Sequence, residues 1–151
     1  SLREARGLAG AQLESGAAWQ KFRAMVEAQG GDVSVIDSPD TLPRAPIVEK
    51  IPAPRSGWIA AIDAREVGLA VVEMGGGRAR KEDEIDPAVG VVFAAKVGAQ
   101  VNEGATLFTL HAADQQSLDA AKRRLLDAYT WSDHPVDVPT LFHDVVGSQE
   151  D

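Results

Sequence analysis

The residues that most constrain this fold are 57–112, in which short apolar stretches alternate with glycine-bounded turns. Residues 47–51, 58–62 and 106–111 have the length and composition of β-strands. Residues 63–75 carry an apolar stripe at three- and four-residue spacing, which predicts a helix. Strands interleaved with a helix predict an α+β fold. The stripe consists of Val67, Ala70, Val71 and Met74.

Two residues mark the ends of that helix. Asp63 is of the type that caps a helix N-terminus, and Glu66 follows it at the spacing of a capping box. Gly75 can adopt the left-handed conformation that commonly terminates a helix. The helix is therefore predicted to run from just after Asp63 to Gly75.

Three further segments are predicted to be regular. Residues 89–95 are apolar throughout, which is typical of a strand buried on both faces. The helical spacing of Leu118, Ala121, Leu125 and Tyr129 predicts a final helix that includes Tyr129. Residues 140–146, which follow two prolines, are predicted to form a last edge strand.

The first part of the chain is helical and ends in a proline-containing segment. Apolar spacing predicts two amphipathic helices before residue 32. Residues 32–46 contain three prolines and turn-forming residues, so they are predicted to be a linker. We therefore expect a helical segment with its linker over residues 1–45 and a separate domain over residues 46–151.

Composition argues against several classes of function. Asp and Glu number 23 against 15 Lys and Arg, and the net charge of -8 disfavours binding to nucleic acid or to anionic membranes. The absence of cysteine excludes disulfides and Cys-ligated zinc, and the three histidines lack the spacing of a shared metal site. We therefore expect a cytoplasmic protein with no metal, no cofactor, no nucleic-acid partner and no membrane association. The histidines are His111, His134 and His143.

One loop, residues 75–86, contains a possible binding chemistry, and we call it the Gly-rich loop. Consecutive glycines can turn backbone N–H groups toward an anion, and nearby cations add attraction. However, the loop follows a helix C-terminus, lacks the P-loop order, and continues into acidic residues that are expected to neutralise its cations. A simple charged connector and a binding role both stay open. The candidate residues are Gly75, Gly76, Gly77, Arg78 and Arg80.

Residues 97–107 have the spacing V-G-x-x-V-x-x-G-x-x-L, which is similar to a turn in lipoyl and biotinyl carrier domains. Such carriers need a lysine at the tip of a separate hairpin, and no lysine here has that setting. The pattern therefore indicates shared strand geometry without a swinging arm. A stand-alone, carrier-like binding module without a modified lysine is the alternative function. The lysines are Lys21, Lys50, Lys81, Lys96 and Lys122.

The order of these motifs resembles the pyrimidine nucleoside phosphorylase family, which includes thymidine phosphorylase. The resemblance covers nearly the whole chain up to Tyr129 and is closest in residues 64–78 and 85–110. Those residues read AREVGLAVVEMGGGR and IDPAVGVVFAAKVGAQVNEGATLFTL. The resemblance implies an α/β-hammerhead, related to the barrel-sandwich carriers, preceded by helices that belong to a large α/β domain.

The resemblance also implies a function. Enzymes of this family are homodimers that cleave thymidine or uridine with phosphate, giving the free base and (deoxy)ribose 1-phosphate in a cleft between two domains. Phosphate is their co-substrate, and no cofactor is implied. The Gly-rich loop is expected to help hold the closed state of that cleft.

Two hallmarks of the family are missing from this chain. Neither the phosphate-binding K-H-S-T-G-G segment nor the Arg, Ser and Lys set that grips the pyrimidine has a match. We therefore expect a C-terminal fragment with no catalytic or substrate-binding residue, inactive alone, whose partner is the missing N-terminal part. A preference for thymidine or uridine is not encoded in the residues present.

Overall fold

The computed structural model describes residues 1–144 and 146, and these residues fall into two compact units. The first unit is Ser1–Leu42, and the second begins at Pro43. Helices occur together with two small antiparallel sheets, so the predicted α+β class is confirmed. The hammerhead assignment and the division into domains 1–45 and 46–151 stay predictions.

All the regular secondary structure of the first unit is helical. It contains α1 (Leu2–Glu14), α2 (Ala17–Ala28), α3 (Ser34–Asp37) and a 3-10 turn (Pro39–Thr41). Arg23 of α2 donates forked hydrogen bonds to the carboxylate of Asp37, which joins α2 to α3. Residues 32–46, predicted to be a linker, therefore include helical structure. It begins where the Asp32 carboxylate accepts a hydrogen bond from the Ser34 N–H.

The second unit combines two three-stranded sheets with two helices. One sheet has the order β1-β5-β3 and the other β4-β2-β6, and every pairing is antiparallel. A π-helical turn, Val72–Gly76, follows α4 and contains a kink at the left-handed Gly75. The elements are β1 (Ile47–Pro52), β2 (Gly57–Ile62), α4 (Ala64–Val71), β3 (Gly90–Phe93), β4 (Gln100–Val101), β5 (Thr106–Ala112), α5 (Gln115–Asp127) and β6 (Tyr129–Ser132).

The core of this unit forms around the central strand β5. Phe108 of β5 is fully buried, and its ring stacks on that of Tyr129 with centroids 6.0 Å apart. Helix α5 adds an apolar stripe, because residues three and four positions apart share one face. The buried residues of that stripe are Leu118, Ala121 and Leu125.

The prediction that residues 89–95 form a strand buried on both faces is wrong. The strand is β3, and it lies at an edge of its sheet beside β5. Val91 and Phe93 pack against the core, whereas Val92 is 59% exposed. Alternation of side chains between the two faces explains the difference, because only one face of this edge strand is covered.

Two predictions near the C-terminus are also wrong. Helix α5 ends at Asp127, and Tyr129 instead begins β6, where it pairs with Ile62 of β2. Tyr129 fits the helical spacing because its side chain packs into the same core as the apolar stripe of α5. Residues 140–144 and 146 form no strand, and Val145 lies outside the described residues. Strand β6 occupies the edge beside β2.

Candidate functional site

The candidate site is built on helix α4. Its N-terminus is capped by Asp63, whose Oδ1 accepts hydrogen bonds from the N–H groups of Arg65 (2.9 Å) and Glu66 (3.2 Å). The predicted Asp63 cap is therefore confirmed, but the capping box is not formed, because the Asp63 N–H donates to the carbonyl of Ala128. The Glu66 carboxylate accepts a hydrogen bond from Nη1 of Arg124 on α5, at 2.5 Å. The cap thus fixes the start of α4, and Glu66 ties it to α5.

Three glycines close the helix for distinct steric reasons. Gly75 has φ of 93°, a left-handed conformation that other residues adopt at a cost. A Cβ on Gly76 would lie 2.8 Å from Cγ1 of Val71, and one on Gly77 would lie 2.8 Å from Cγ2 of Val72. These valines are stiff in a helix, so the clash is not easily relieved. The glycine run is therefore explained by a tight reversal of the chain against α4.

The Gly-rich loop is ordered by its own carboxylates. Oδ2 of Asp83 accepts hydrogen bonds from the N–H groups of Ala79 (3.0 Å) and Arg80 (2.8 Å). The N–H of Asp86 donates to the carbonyl of Gly75 at 2.9 Å, which closes the base of the loop. Asp83 therefore serves the backbone, as in common Asx turns.

The cations of the loop have no ion-pair partner among the residues that the structure describes. Arg78, Arg80 and Lys81 are exposed, and no salt bridge joins them to any carboxylate in residues 1–144. Asp83 bonds to backbone N–H groups and not to these cations, and the expectation that the acidic residues offset the charge of the cations stays a prediction. The loop thus carries three exposed cations next to four carboxylates on an internally bonded backbone.

A groove of about 540 Å³ runs between α4 and α5. Arg124 spans it, with Nη1 bonded to Glu66 and Nη2 lying 2.8 Å from Oε1 of Glu73 in the π-helical turn. The guanidinium thus bonds to both carboxylates, and the lining of the groove has three carboxylates against two guanidinium groups. The groove is lined by Glu66, Glu73, Ala120, Arg123, Arg124 and Asp127.

A second pocket, of about 210 Å³, is almost entirely apolar. Tyr129 is the neighbouring core residue with a titratable group, and burial raises its pKa far above the ordinary value. Its hydroxyl remains protonated at neutral pH and donates to the carbonyl of Ala95 at 3.4 Å. It is therefore unsuited to proton transfer. The pocket is lined by Ile62, Ala64, Val67, Phe93 and Lys96.

In the described part of the chain, the histidines lie away from both pockets and the acidic residues form no metal-binding group. His111 is half-buried on β5, His134 is exposed, and neither lines the Arg124 groove or the apolar pocket. Residues 1–144 and 146 contain no group of three or more His, Cys, Asp or Glu that could hold a metal ion. In the same part of the chain, no helix is long and apolar enough to cross a membrane.

None of the lysines has the setting of a carrier lysine. Strand β5 continues through Ala113 and Asp114 into α5, so a helix follows it where a carrier would need a hairpin. Lys122 lies on α5 and bonds to Glu49. Lys96 lies in the turn between β3 and β4, which belong to different sheets. The carrier-like alternative therefore gains no support from the described residues.

A known protein-family model matches the region that contains this site. Residues 58–132 match the family model for the pyrimidine nucleoside phosphorylase C-terminal domain. Those residues form a pyrimidine nucleoside phosphorylase C-terminal domain. The match runs from β2 to the end of β6, so it includes the Gly-rich loop and the Arg124 groove.

Curated relatives extend the similarity of this phosphorylase domain. The pyrimidine-nucleoside phosphorylase of Staphylococcus aureus strain bovine RF122 / ET3-1 is 40% identical over 146 residues. That of Staphylococcus aureus strain USA300 has the same identity over the same length. Each alignment covers 97% of this chain and 33% of the relative, so the chain spans about a third of the length of the relatives it matches.

Sequence reasoning missed the bridge made by Arg124. One signal was available, because Glu66 and Glu73 are seven residues apart, which places both on one face of a helix of 3.6 residues per turn. The partner could not be inferred, since Arg123 and Arg124 are adjacent in sequence and only the packing of α5 decides which one faces the carboxylates.

Proposed function

We propose that this chain is the C-terminal part of a pyrimidine-nucleoside phosphorylase. The longer enzyme cleaves pyrimidine nucleosides with phosphate, giving the free base and a pentose 1-phosphate. The observation that carries this proposal is the 40% identity, over 97% of the chain, to enzymes of that name. Because the chain spans 33% of their length, the activity belongs to the longer polypeptide.

The chain alone is proposed to be inactive. Phosphorolysis needs an anion site and a base-binding set held in one cleft, since positioning and electrostatics supply most of the rate. The K-H-S-T-G-G segment and the pyrimidine-gripping set expected from the family are absent from the sequence. The groove at Arg124 is lined by three carboxylates and two guanidinium groups, which does not favour an anion, and the pocket at Phe93 is apolar. Phosphate is the co-substrate, and no cofactor takes part.

The first partner of the chain is the preceding part of the same enzyme. Helices α1 and α2 contain no buried residue, yet they carry large apolar side chains. Exposed apolar stripes of this kind usually mark packing surfaces. We assign these helices to the large α/β domain of a homodimeric, cytoplasmic enzyme. The side chains are Leu2, Leu8, Leu13, Trp19, Phe22 and Met25.

The Gly-rich loop is proposed to help hold the closed cleft. Arg78 and Arg80 lack charged partners in the described residues, and Arg forms forked bonds to carboxylates and carbonyl groups of a facing surface. Exposed pairs contribute about 0–1 kcal/mol each, so the loop adjusts turnover rather than providing it. The glycines and Asp83 supply a defined backbone for those side chains.

The experiment that tests this function uses the longer polypeptide with thymidine or uridine, with and without phosphate. The expected result is release of free base that requires phosphate, together with an equal amount of pentose 1-phosphate. Chromatography of the base and a phosphate-ester assay measure both products. Base release that is independent of phosphate would indicate a hydrolase and would overturn the proposal.

A further inference from the structure

Arg124 makes two contacts that the phosphorylase proposal does not use. Its guanidinium bonds to Glu66, in the first turn of α4, and to Glu73, in the π-helical turn beyond the end of α4. One side chain on α5 therefore holds both ends of the helical segment that precedes the Gly-rich loop. The Arg124 side chain is 30% exposed and that of Glu66 32%, so this pair is partly shielded from water, whereas Glu73 is 52% exposed.

The helix that carries Arg124 is itself firmly placed. Leu118 and Leu125 of α5 are fully buried, and Asp114 caps its N-terminus by accepting a hydrogen bond from the Ser117 N–H. Lys122 bonds to Glu49 of β1 at 2.9 Å. Arg124 therefore lies on a helix that packs firmly against the core. Its bonds hold α4 in a defined position relative to that helix.

The contact at Glu73 lies next to the base of the Gly-rich loop. Glu73 and Gly75 belong to the same π-helical turn, and the Gly75 carbonyl accepts the hydrogen bond from Asp86 that closes the loop. The backbone between them is constrained, since Gly75 holds φ of 93°. A turn of this kind, with a left-handed glycine, is a common way for a helix to end. A shift of Glu73 therefore moves the point from which the loop departs.

We propose that Arg124 is a positioning residue for the Gly-rich loop, fixing the backbone that carries Arg78 and Arg80 through its bonds to Glu66 and Glu73. This inference rests on the proposed closing role of the loop for its relevance to turnover. The effect of Arg124 on the loop backbone does not depend on the closing role, because it can be measured in the chain without substrate.

Amide hydrogen exchange in the 151-residue chain tests the geometry. In Arg124→Ala, the N–H groups of Ala79, Arg80 and Asp86 are expected to exchange up to about fivefold faster, which corresponds to about 1 kcal/mol, the upper end for an exposed ion pair. The Leu110 N–H in the central strand β5 reports global stability and is expected to keep its rate.

Arg123→Ala is the matched control. Arg123 precedes Arg124 and lines the same groove, but it donates to the Asp119 carbonyl of its own helix. It should leave the loop amides unchanged. Unchanged loop amides in Arg124→Ala, or equal acceleration at Leu110, would overturn the inference, because Arg124 would then have no effect or only a general structural one.

Kinetics of the longer enzyme separate this inference from the proposed function. If Arg124 acts through the loop, Arg124→Ala and Arg78→Ala lower turnover and their effects are less than additive. Faster exchange in the loop without any change in turnover would uphold the positioning role and contradict the closing role. Arg124→Lys, which retains one charge but not the fork, should restore the exchange rates only in part.

Discussion

Lys122 of α5 lies 2.9 Å from Glu49 of β1, measured from Nζ to Oε1, so an ion pair joins this helix to an edge strand. Both side chains are 37% exposed, which limits the energy of the pair. A double-mutant cycle with Lys122→Met and Glu49→Gln is expected to give a coupling of about 0–1 kcal/mol. Urea unfolding at low and high salt measures it.

Salt dependence is the control for that cycle. The coupling should shrink at about 1 M salt, where the Debye length is ~3 Å. A coupling that is unaffected by salt would show that the two residues interact through packing or backbone changes, and not through their charges.

Two glycine substitutions are expected to change stability in opposite directions. Gly57 has φ of 152°, and a Cβ there would lie 2.9 Å from the Ser132 carbonyl oxygen, so Gly57→Ala should destabilise the fold by about 1–3 kcal/mol. Gly68 lies within α4, and nothing lies within 4 Å of the position that a Cβ would take there, so Gly68→Ala should stabilise by about 0.5–1 kcal/mol. Urea denaturation of both variants tests this. If both substitutions changed the free energy of unfolding in the same direction, the backbone geometry at these two positions would be contradicted.

The stabilisation that the Asp114 cap gives to α5 should be lost at acid pH. The backbone hydrogen bond from Ser117 lowers the pKa of Asp114 below its ordinary value of 3.8. Because the folded-state pKa is the lower one, the stabilisation is present above the unfolded-state pKa and is lost as the pH falls through the folded-state pKa. NMR titration of the Asp114 carboxyl measures the shift.

A stability comparison provides the control for that titration. Asp114→Asn keeps a cap oxygen but does not titrate, so the difference in unfolding free energy between wild type and variant should narrow at acid pH. An Asp114 pKa at or above its ordinary value would contradict the role of this carboxylate as the cap of α5.

The closing role of the Gly-rich loop predicts a mild kinetic effect. In the longer enzyme, Arg78→Ala is expected to lower turnover by up to about fivefold, since one exposed pair is worth ~0–1 kcal/mol. The melting temperature should not change, because Arg78 has no charged partner in the described residues. Arg65→Ala, an exposed cation on α4 outside the loop, is the control. If neither kcat nor KM changes in Arg78→Ala, the loop is only a connector.

Local chemistry predicts much of this fold correctly. Asp63 caps α4 and Gly75 takes the left-handed conformation, as the helix-end signals indicate. These features depend on a few neighbouring residues, so the sequence contains the information needed to place them. The strand around Phe108 is likewise predicted by its composition, and it occupies the centre of its sheet.

The errors arise where long-range packing decides the outcome. An apolar run at residues 89–95 does not reveal whether a strand is central or at an edge, and sheet order places β3 at the edge. Tyr129 satisfies the spacing of α5 although it belongs to β6. The link from Arg124 to Glu66 and Glu73 joins residues far apart in sequence, so it emerges only when α5 packs beside α4.

We propose that this chain is the C-terminal part of a pyrimidine-nucleoside phosphorylase and that it does not catalyse phosphorolysis on its own. The most direct test measures the release of free base by residues 1–151 and by the longer polypeptide. Both are assayed at equal concentration, with thymidine or uridine as the substrate and with phosphate present. We predict that the longer polypeptide releases base, while the chain alone releases none above a heat-treated control. Heat-sensitive base release by residues 1–151 alone, or none by the longer polypeptide, would contradict the claim.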